Sequence, residues 1–232
     1  SMAANNHLTE NLVISAANTL TLLAMHSEEL ANANVANYKQ YLSQTTTLVL
    51  ESLEDSVTTL ENAQGLANFF EENSIETVAE FLEYIDSLRK KYYEMKDLNR
   101  SYNLTEIILE LYNKRYIDKI RATILLISII GVAKTRLLVG EYISSEYPNI
   151  ELIQYTNQLD RRILNALLRS GYTSIGLIKY ELLEGNDEFP VNNIGENALS
   201  KLIIFLLRTG YINHDQLKII AAKYQLTIEI EG

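Results

Sequence analysis

Residue types that commonly carry catalysis are sparse in this chain and scattered along it. The three histidines are His7, His26 and His214, and no serine occurs with a histidine and an aspartate in a recognisable catalytic context. There is no G-x-x-x-x-G-K-[ST] phosphate loop, no G-x-G-x-x-G turn after a strand and no H-E-x-x-H metal motif. Carboxylates are abundant, but groups such as Glu71 and Glu72 fit the solvated face of a helix. We therefore predict a non-enzymatic protein without a metal or cofactor; the alternative is an enzyme site built from scattered carboxylates around a metal.

The cysteine content and the distribution of charge limit the kinds of site and partner that this chain can have. The chain has no cysteine, which excludes disulfides, thiolate metal sites and a cysteine nucleophile. Near the N-terminus, no basic stretch is followed by an apolar run of the kind that directs secretion, so a cytoplasmic location is expected. The net charge of −10 is uneven, because residues 1–97 carry 15 acidic and 5 basic side chains whereas residues 98–158 and 159–232 are close to neutral. The acidic part repels nucleic acid, which argues against DNA binding driven by charge alone.

Apolar residues return at three- and four-residue spacings along most of the chain, which predicts an all-α fold. Helices are expected at residues 8–31, 35–61, 66–72, 75–98 and from an N-cap at Thr105 to about Ser145, with a bend near Tyr116 and with Ser74 as the cap of the fourth. The apolar run Ala122–Ala133 would span about 18 Å as a helix, far less than a hydrocarbon core of about 30 Å, so it predicts a buried helix and no membrane span. Pro148 should end this series of helices.

The clearest amphipathic segment runs from about Ile75 to Leu98. Its apolar residues alternate at spacings of three and four, and such a stripe needs another helix against it. The partner is expected within the same chain, and a homodimer is the alternative. A homodimer would form through Val78, Phe81, Ile85, Leu88 and Tyr92.

Two stretches in the last third of the chain carry the most specific pattern. They are R-R-I-L-N-A-L-L-R-S-G-Y-T-S-I-G (161–176) and N-N-I-G-E-N-A-L-S-K-L (192–202), each a helical pattern interrupted by glycine. In addition, L-L-R-S-G-Y (167–172) recurs as L-L-R-T-G-Y (206–211). Both copies predict a helix that ends at arginine, followed by a glycine in the left-handed conformation and a tyrosine that packs back on the helix.

Residues 151–207 resemble the C-terminal domain of the bacterial RNA polymerase alpha subunit. The matching positions are Leu159, Arg162, Asn165, Leu167, Gly171, Ser174, Ile175, Gly176, Ile178, Asn193, Ile194, Gly195, Leu199 and Leu202. The resemblance implies a compact helical module closed by a helix-hairpin-helix. With the break at Pro148, it predicts an acidic helical bundle over residues 1–147 and a helix-hairpin-helix domain over residues 148–232.

The same resemblance implies DNA-binding roles for Arg162, Asn165, Gly195 and Asn197. In that family the arginine and asparagine enter the minor groove of A/T-rich DNA, and the hairpin meets the phosphates. The bland alternatives are a surface charge for Arg162, a polar helix position for Asn165 and a tight turn for Gly195. The chain departs from the family at three consecutive positions, because the family's basic pair and serine are replaced by Glu196, Asn197 and Ala198. A carboxylate at Glu196 would repel a phosphate.

Beyond this module, Asn213 and Gln216 predict a capping box that starts a helix ending near Tyr224. The tail L-T-I-E-I-E (226–231) alternates apolar and other residues, which predicts a short strand or an extended edge at the C-terminus.

These observations predict a regulatory or adaptor protein in transcription or DNA transactions. Its helix-hairpin-helix module would contact A/T-rich DNA or RNA polymerase weakly. The alternative is an acidic protein-interaction factor, of the phage or mobile-element type, that binds a basic host protein and no nucleic acid.

Overall fold

The computed structural model describes residues 51–229, and within them Ser52 onward belongs to one compact unit. The predicted helix at residues 8–31 and most of the one at 35–61 lie outside the described residues. The described part is all-α, as predicted, with two isolated β-bridges and no sheet. Its α-helices are α1 (Ala67–Glu72), α2 (Val78–Arg89), α3 (Tyr92–Tyr102), α4 (Leu104–Asn113), α5 (Lys119–Ile130), α6 (Val132–Val139), α7 (Arg161–Arg169), α8 (Ile175–Glu184), α9 (Glu196–Arg208) and α10 (His214–Lys223). Short 3-10 helices lie at Val57–Thr59, Glu61–Leu66 and Leu152–Tyr155.

None of the helices in residues 51–229 combines the length and the apolar character needed to cross a membrane.

The buried apolar side chains form two cores within the compact unit. The first core is built by α1 to α6 and the residues just before them, and the second by α7 to α10 and the segment from Tyr142 to Leu159. Helix α5 contributes to both, because Leu125 and Leu126 lie in the first core and Ile124 in the second. Helix α5 thus links the two cores, and the domain boundary predicted at 147/148 stays a prediction.

The single helix predicted at residues 75–98 is divided into two helices, so the prediction of a continuous helix is wrong. Helix α2 ends at Arg89 and α3 begins at Tyr92, after Lys91 leaves the helical conformation. The break lets α3 pack against α4 and α5 as well as against α2. The N-cap is Thr77, whose side chain accepts the amide of Glu80, and not the predicted Ser74, which has a positive φ of 56°.

The helix predicted from Thr105 to Ser145 is also divided. It begins at Leu104 after Asn103, which has φ 54°, and the predicted cap Thr105 instead donates from its amide and hydroxyl to Asn99 Oδ1. The predicted bend near Tyr116 is present as a break between α4 and α5. A second break at Gly131 and the end of α6 at Val139 were not predicted.

The described end of the helix predicted at residues 35–61 is not α-helical, and a buried carboxylate explains its conformation. Glu110 on α4 accepts the amides of Glu61 and Asn62 at 2.7 Å each and lies 2.8 Å from Lys114 Nζ. Burial raises the pKa of the Glu110 carboxyl, but these hydrogen bonds outweigh burial and hold the pKa below its ordinary value. A side chain 49 positions away thus caps the 3-10 helix Glu61–Leu66.

The second core is assembled from helices with well-defined starts. Asp160 caps α7 by accepting the amides of Arg162 and Ile163, and Ser174 caps α8. The capping box predicted for Asn213 and Gln216 is confirmed at the start of α10. The predicted C-terminal strand is wrong for residues 226–229, which are not paired with any strand. Their apolar side chains pack against the second core instead.

Both copies of the L-L-R-[ST]-G-Y repeat end a helix in the predicted way. Helix α7 ends at Arg169 and α9 at Arg208, and the glycines that follow, Gly171 and Gly210, have φ of 93° and 81°. Their surroundings differ. A Cβ on Gly171 would lie 2.4 Å from the carbonyl oxygen of Ile124 on α5, whereas a Cβ on Gly210 would meet nothing within 4 Å. Gly171 therefore sets how closely α7 approaches α5.

This contrast predicts different costs for the same substitution at the two glycines. We expect Gly210→Ala to lower the free energy of unfolding by about 1–2 kcal/mol, because alanine is strained at positive φ. Gly171→Ala adds a clash with a backbone carbonyl and should cost about 2–5 kcal/mol. Urea unfolding followed by circular dichroism measures both, and equal losses would contradict the close approach of α7 to α5.

Candidate nucleic-acid interface

One side of α7 presents the residues predicted to bind DNA. Arg162 and Asn165 are exposed, and Arg169 is exposed one turn further along the same side. The opposite side, which includes Ile163 and Leu167, is buried in the second core. Arg161 and Arg162, as well as Arg169, form no ion pair with any carboxylate in residues 51–229. Helix α7 therefore offers three arginines whose charge is not neutralised by a contacting acid.

The hairpin between α8 and α9 presents the other two predicted residues. Gly195 and Asn197 are exposed, and Gly195 is the N-cap of α9 with no side chain to accept its first amides. Gly195 has φ −85°, and a Cβ there would meet nothing within 4 Å. The left-handed residue of the turn is Asn193, with φ 67°. The backbone conformation at position 195 therefore does not require glycine.

A groove of about 300 Å³ joins α7 to the hairpin and to the start of α3. We call it the α3–α7 groove. Its polar lining comes from Arg89, Lys91, Tyr93, Glu94, Arg169, Ser170, Asn192 and Asn193. The end of the exposed α7 side and the hairpin turn therefore lie at one surface. Arg162, Asn165, Gly195 and Asn197 themselves do not line the groove.

The groove carries more positive than negative charge. Lys91 and Arg169 supply this charge, whereas the charge of the fully buried Arg89 side chain is offset by Glu181. Glu94 is the single carboxylate among the lining residues. Glu94 Oε2 lies 3.8 Å from Lys91 Nζ and offsets part of that charge. The hairpin itself adds Glu196 in the first turn of α9. The surface as a whole is mildly cationic in a chain whose net charge is −10.

A buried ionic cluster, which the sequence analysis did not predict, lies behind the groove. Arg89 at the end of α2 donates to the carbonyl of Ser170 and, at 2.9 Å, to the hydroxyl of Tyr172. Tyr172 donates in turn to Glu181 Oε1 on α8 at 2.5 Å, and Arg121 on α5 donates to the same oxygen at 2.6 Å. The cluster connects α2 and α5 with α8 and the turn after α7.

The charges in this cluster balance in an environment that excludes water. The side chains of Arg89 and Glu181 are 0% and 1% exposed, and Asp86 lies within 4.0 Å of Arg89 and 3.8 Å of Arg121. Burial raises the pKa of the Asp86 carboxyl. Burial also acts to raise the pKa of Glu181, but the charges of Arg121 and Arg89 outweigh it and hold that pKa below its ordinary value. The geometry supports an ionised Glu181 between the two guanidinium groups, with Asp86 as the second carboxylate beside them.

Two atoms of the cluster lack a hydrogen bond. They are Arg89 Nε and Glu181 Oε2. Glu181 Oε2 occupies the space beside Gly185, where a Cβ would lie only 1.7 Å away. Gly185 at the end of α8 thus leaves room for the carboxylate.

The residues predicted to form a homodimer interface lie in the interior of the protein and not at its surface, where the structure describes their side chains. Val78, Phe81, Ile85 and Leu88 lie in the first core, with at most 4% of each exposed. The side chain of Tyr92 lies outside what the structure describes. Four of these residues therefore pack against neighbours in their own chain and present almost no surface to a second copy.

Within residues 51–229, no group of three histidine, aspartate or glutamate side chains is placed to hold a metal ion.

The ionic cluster predicts a pH-dependent effect of Glu181→Gln. Removing one partner of a buried pair leaves the two guanidinium groups partly uncompensated, which should cost about 3–5 kcal/mol of unfolding free energy near pH 7. Because the folded-state pKa of Glu181 is lowered, its contribution is present above the ordinary value of 4.5 and is lost as pH falls through the folded-state pKa. We expect the stability difference between wild type and variant to shrink on acidification.

Urea unfolding of both proteins at about pH 7 and about pH 3 measures this difference. Glu106→Gln, at an exposed position in the first turn of α4, is the control and should change stability by less than about 0.5 kcal/mol. A Glu181→Gln variant as stable as this control near neutral pH would show that the cluster does not hold the helices together.

Comparison of the chain with protein-family models, with curated protein sequences and with solved structures finds no match. The resemblance of residues 151–207 to the polymerase alpha C-terminal domain therefore stays a prediction.

Proposed function

We propose that this chain is a non-enzymatic regulatory or adaptor protein in DNA transactions such as transcription, and that it contacts A/T-rich duplex DNA weakly. The supporting observation is the exposed side of α7, where Arg161, Arg162 and Arg169 form no ion pair among the described residues. The hairpin turn lies at the same surface, across the α3–α7 groove. We place this activity in the cytoplasm.

In this proposal, Arg162 and Asn165 enter the minor groove. A/T-rich DNA has a narrow minor groove whose enhanced negative potential attracts arginine. Gly195 and Asn197 approach a phosphate at the uncapped start of α9, where backbone N–H groups favour an anion. Glu196 opposes that phosphate, and the net charge of −10 opposes any duplex. The complex should therefore be weak and strongly dependent on salt.

A second candidate function is protein binding without nucleic acid. Leu137 and Ile143 are 85% and 87% exposed, which is unusual for large apolar side chains in one short segment. Together with the net charge of −10, this segment favours a basic protein partner. A test of duplex binding distinguishes the two candidate functions, because only the first requires it.

Substitution of Arg162 tests the duplex contact. We expect Arg162→Ala to weaken binding to a labelled A/T-rich duplex by about fivefold or more, measured by fluorescence anisotropy at about 50 mM salt. Arg136→Ala is the matched control, because Arg136 is exposed on α6 and its removal changes the net charge equally. Wild-type binding should fall steeply at about 200 mM salt. No binding at the lower salt, or equal losses in both variants, would exclude this interface.

Gly195→Asp separates a contact role from a role in stability. An aspartate at the N-cap should stabilise α9 by a few tenths of a kcal/mol, and the open space at this position accepts a side chain. The same carboxylate would repel a phosphate at the hairpin. We expect unchanged or slightly higher thermal stability with weaker duplex binding. Unchanged binding would show that no phosphate approaches Gly195.

A further inference from the structure

The α3–α7 groove contains a second set of groups suited to nucleic acid, and it shares only Arg169 with the exposed side of α7 that is proposed to face duplex DNA. Tyr93 stands at the groove with 79% of its surface exposed. Lys91 and Arg169 supply positive charge, and Asn192 and Asn193 supply side-chain amides. An exposed aromatic ring, two cations and two amides are thus gathered around one concave site.

Each of these groups matches one part of a nucleotide. An exposed aromatic ring stacks on a base of any sequence, because every base has a π-face. Lysine and arginine bind a phosphate by charge, and arginine can also donate two parallel hydrogen bonds. The Oδ1 atom of Asn192 accepts the amide of Asn193, which leaves the Asn192 NH2 group without a partner in residues 51–229. That NH2 group can donate to a base edge or to a phosphate oxygen.

The size of the groove limits the ligand to a small unit. Small-molecule sites in proteins typically range from about 300 to about 1,000 Å³. At about 300 Å³, the groove lies at the lower end of that range. It can hold one nucleotide, and it is far too small for a duplex.

The buried cluster holds the two walls of the groove in place. Arg89 donates to the carbonyl of Ser170, the residue that follows Arg169. Lys91 and Tyr93 follow Arg89 by two and four positions, so the same contact fixes the start of α3 against the end of α7. A stacking platform on one wall and a phosphate ligand on the other are therefore positioned before any ligand arrives, which lowers the entropic cost of binding.

We propose that the α3–α7 groove binds an unpaired nucleotide, with the base stacked on Tyr93 and the phosphate between Lys91 and Arg169. The unit can come from single-stranded nucleic acid or from a free mononucleotide. This site goes beyond the proposed duplex contact and does not depend on it, because none of Arg162, Asn165, Gly195 and Asn197 lines the groove. Since Glu94 offsets part of the positive charge, stacking supplies most of the affinity, and binding depends less on salt than duplex binding does.

Substitution of Tyr93 is the direct test. We expect Tyr93→Ala to weaken binding of a labelled single strand of about ten nucleotides by about 5- to 140-fold in fluorescence anisotropy. Tyr93→Phe keeps the ring and should bind like wild type. Tyr102→Ala is the matched control, because Tyr102 is exposed at the other end of α3 and does not line the groove. The high exposure of Tyr93 predicts an unchanged fold, which circular dichroism verifies.

The two copies of the repeat provide a matched pair for the phosphate contact. Arg169 lines the α3–α7 groove, whereas Arg208, its counterpart after α9, lines a separate cavity together with Asp160. Arg169→Ala should weaken single-strand binding and reduce its salt dependence, and Arg208→Ala should change neither. The proposal is overturned if Tyr93→Ala binds like wild type, if Tyr102→Ala loses as much affinity, or if the two arginine variants behave alike.

Parallel titrations identify the source of the nucleotide and separate this proposal from the duplex contact. Calorimetry measures the binding of thymidine monophosphate. If the protein binds this nucleotide as tightly as the single strand, and Tyr93→Ala weakens that binding, the ligand is a free nucleotide. If the protein binds only the strand, the ligand is single-stranded nucleic acid. If the protein binds the single strand through Tyr93 but binds no duplex, the result supports the nucleotide site in the groove and overturns the proposed duplex function. Duplex binding that needs Arg162, with neither strand nor mononucleotide bound, overturns the groove alone, and no binding of any ligand overturns both.

Discussion

The guanidinium group of Arg89 is the contact on which the arrangement of the described helices most depends. It leaves α2, crosses to the second core and donates to Ser170 and Tyr172, where water is excluded. An unpaired buried cation would cost several kcal/mol, so this position requires the carboxylate of Glu181 beside it. Arg121 converges on the same carboxylate from α5. Two cores that each bury their own apolar side chains are thereby fixed in one relative position.

This interior arrangement determines what the surface can offer. Arg89 fixes the turn after α7, Gly171 brings that turn close to α5, and the exposed side of α7 follows from the burial of its opposite side. The hairpin and the start of α3 then meet α7 at one groove. The ionic groups in the interior hold the helices in position, while the arginines on the exposed side of α7 have no carboxylate partner among the described residues. A chain with net charge −10 can present a locally cationic surface in this way.

The sequence predicted those features that depend on residues within about one helical turn of each other. The all-α class, the capping box at Asn213, and the end of both repeat helices at arginine followed by a left-handed glycine were all predictable. Such features are local, because caps and left-handed glycines act through hydrogen bonds between near neighbours in the chain. The exposure of Arg162 and Asn165 also follows from helical periodicity, since the residues between them are apolar.

Tertiary structure alone decided the remaining features, because they join residues far apart in the chain. Arg89 meets Ser170 and Tyr172 across separations of 81 and 83 positions, and Glu110 caps a helix 49 positions before it. No local pattern marks a buried arginine or a carboxylate that caps a distant turn. The break between α2 and α3 could not be predicted either, because a continuous apolar stripe predicts one helix when the helices that pack against it are unknown. The sequence by itself thus determined which helices form and where several of them end, whereas only packing between distant helices decided which side chains share the groove.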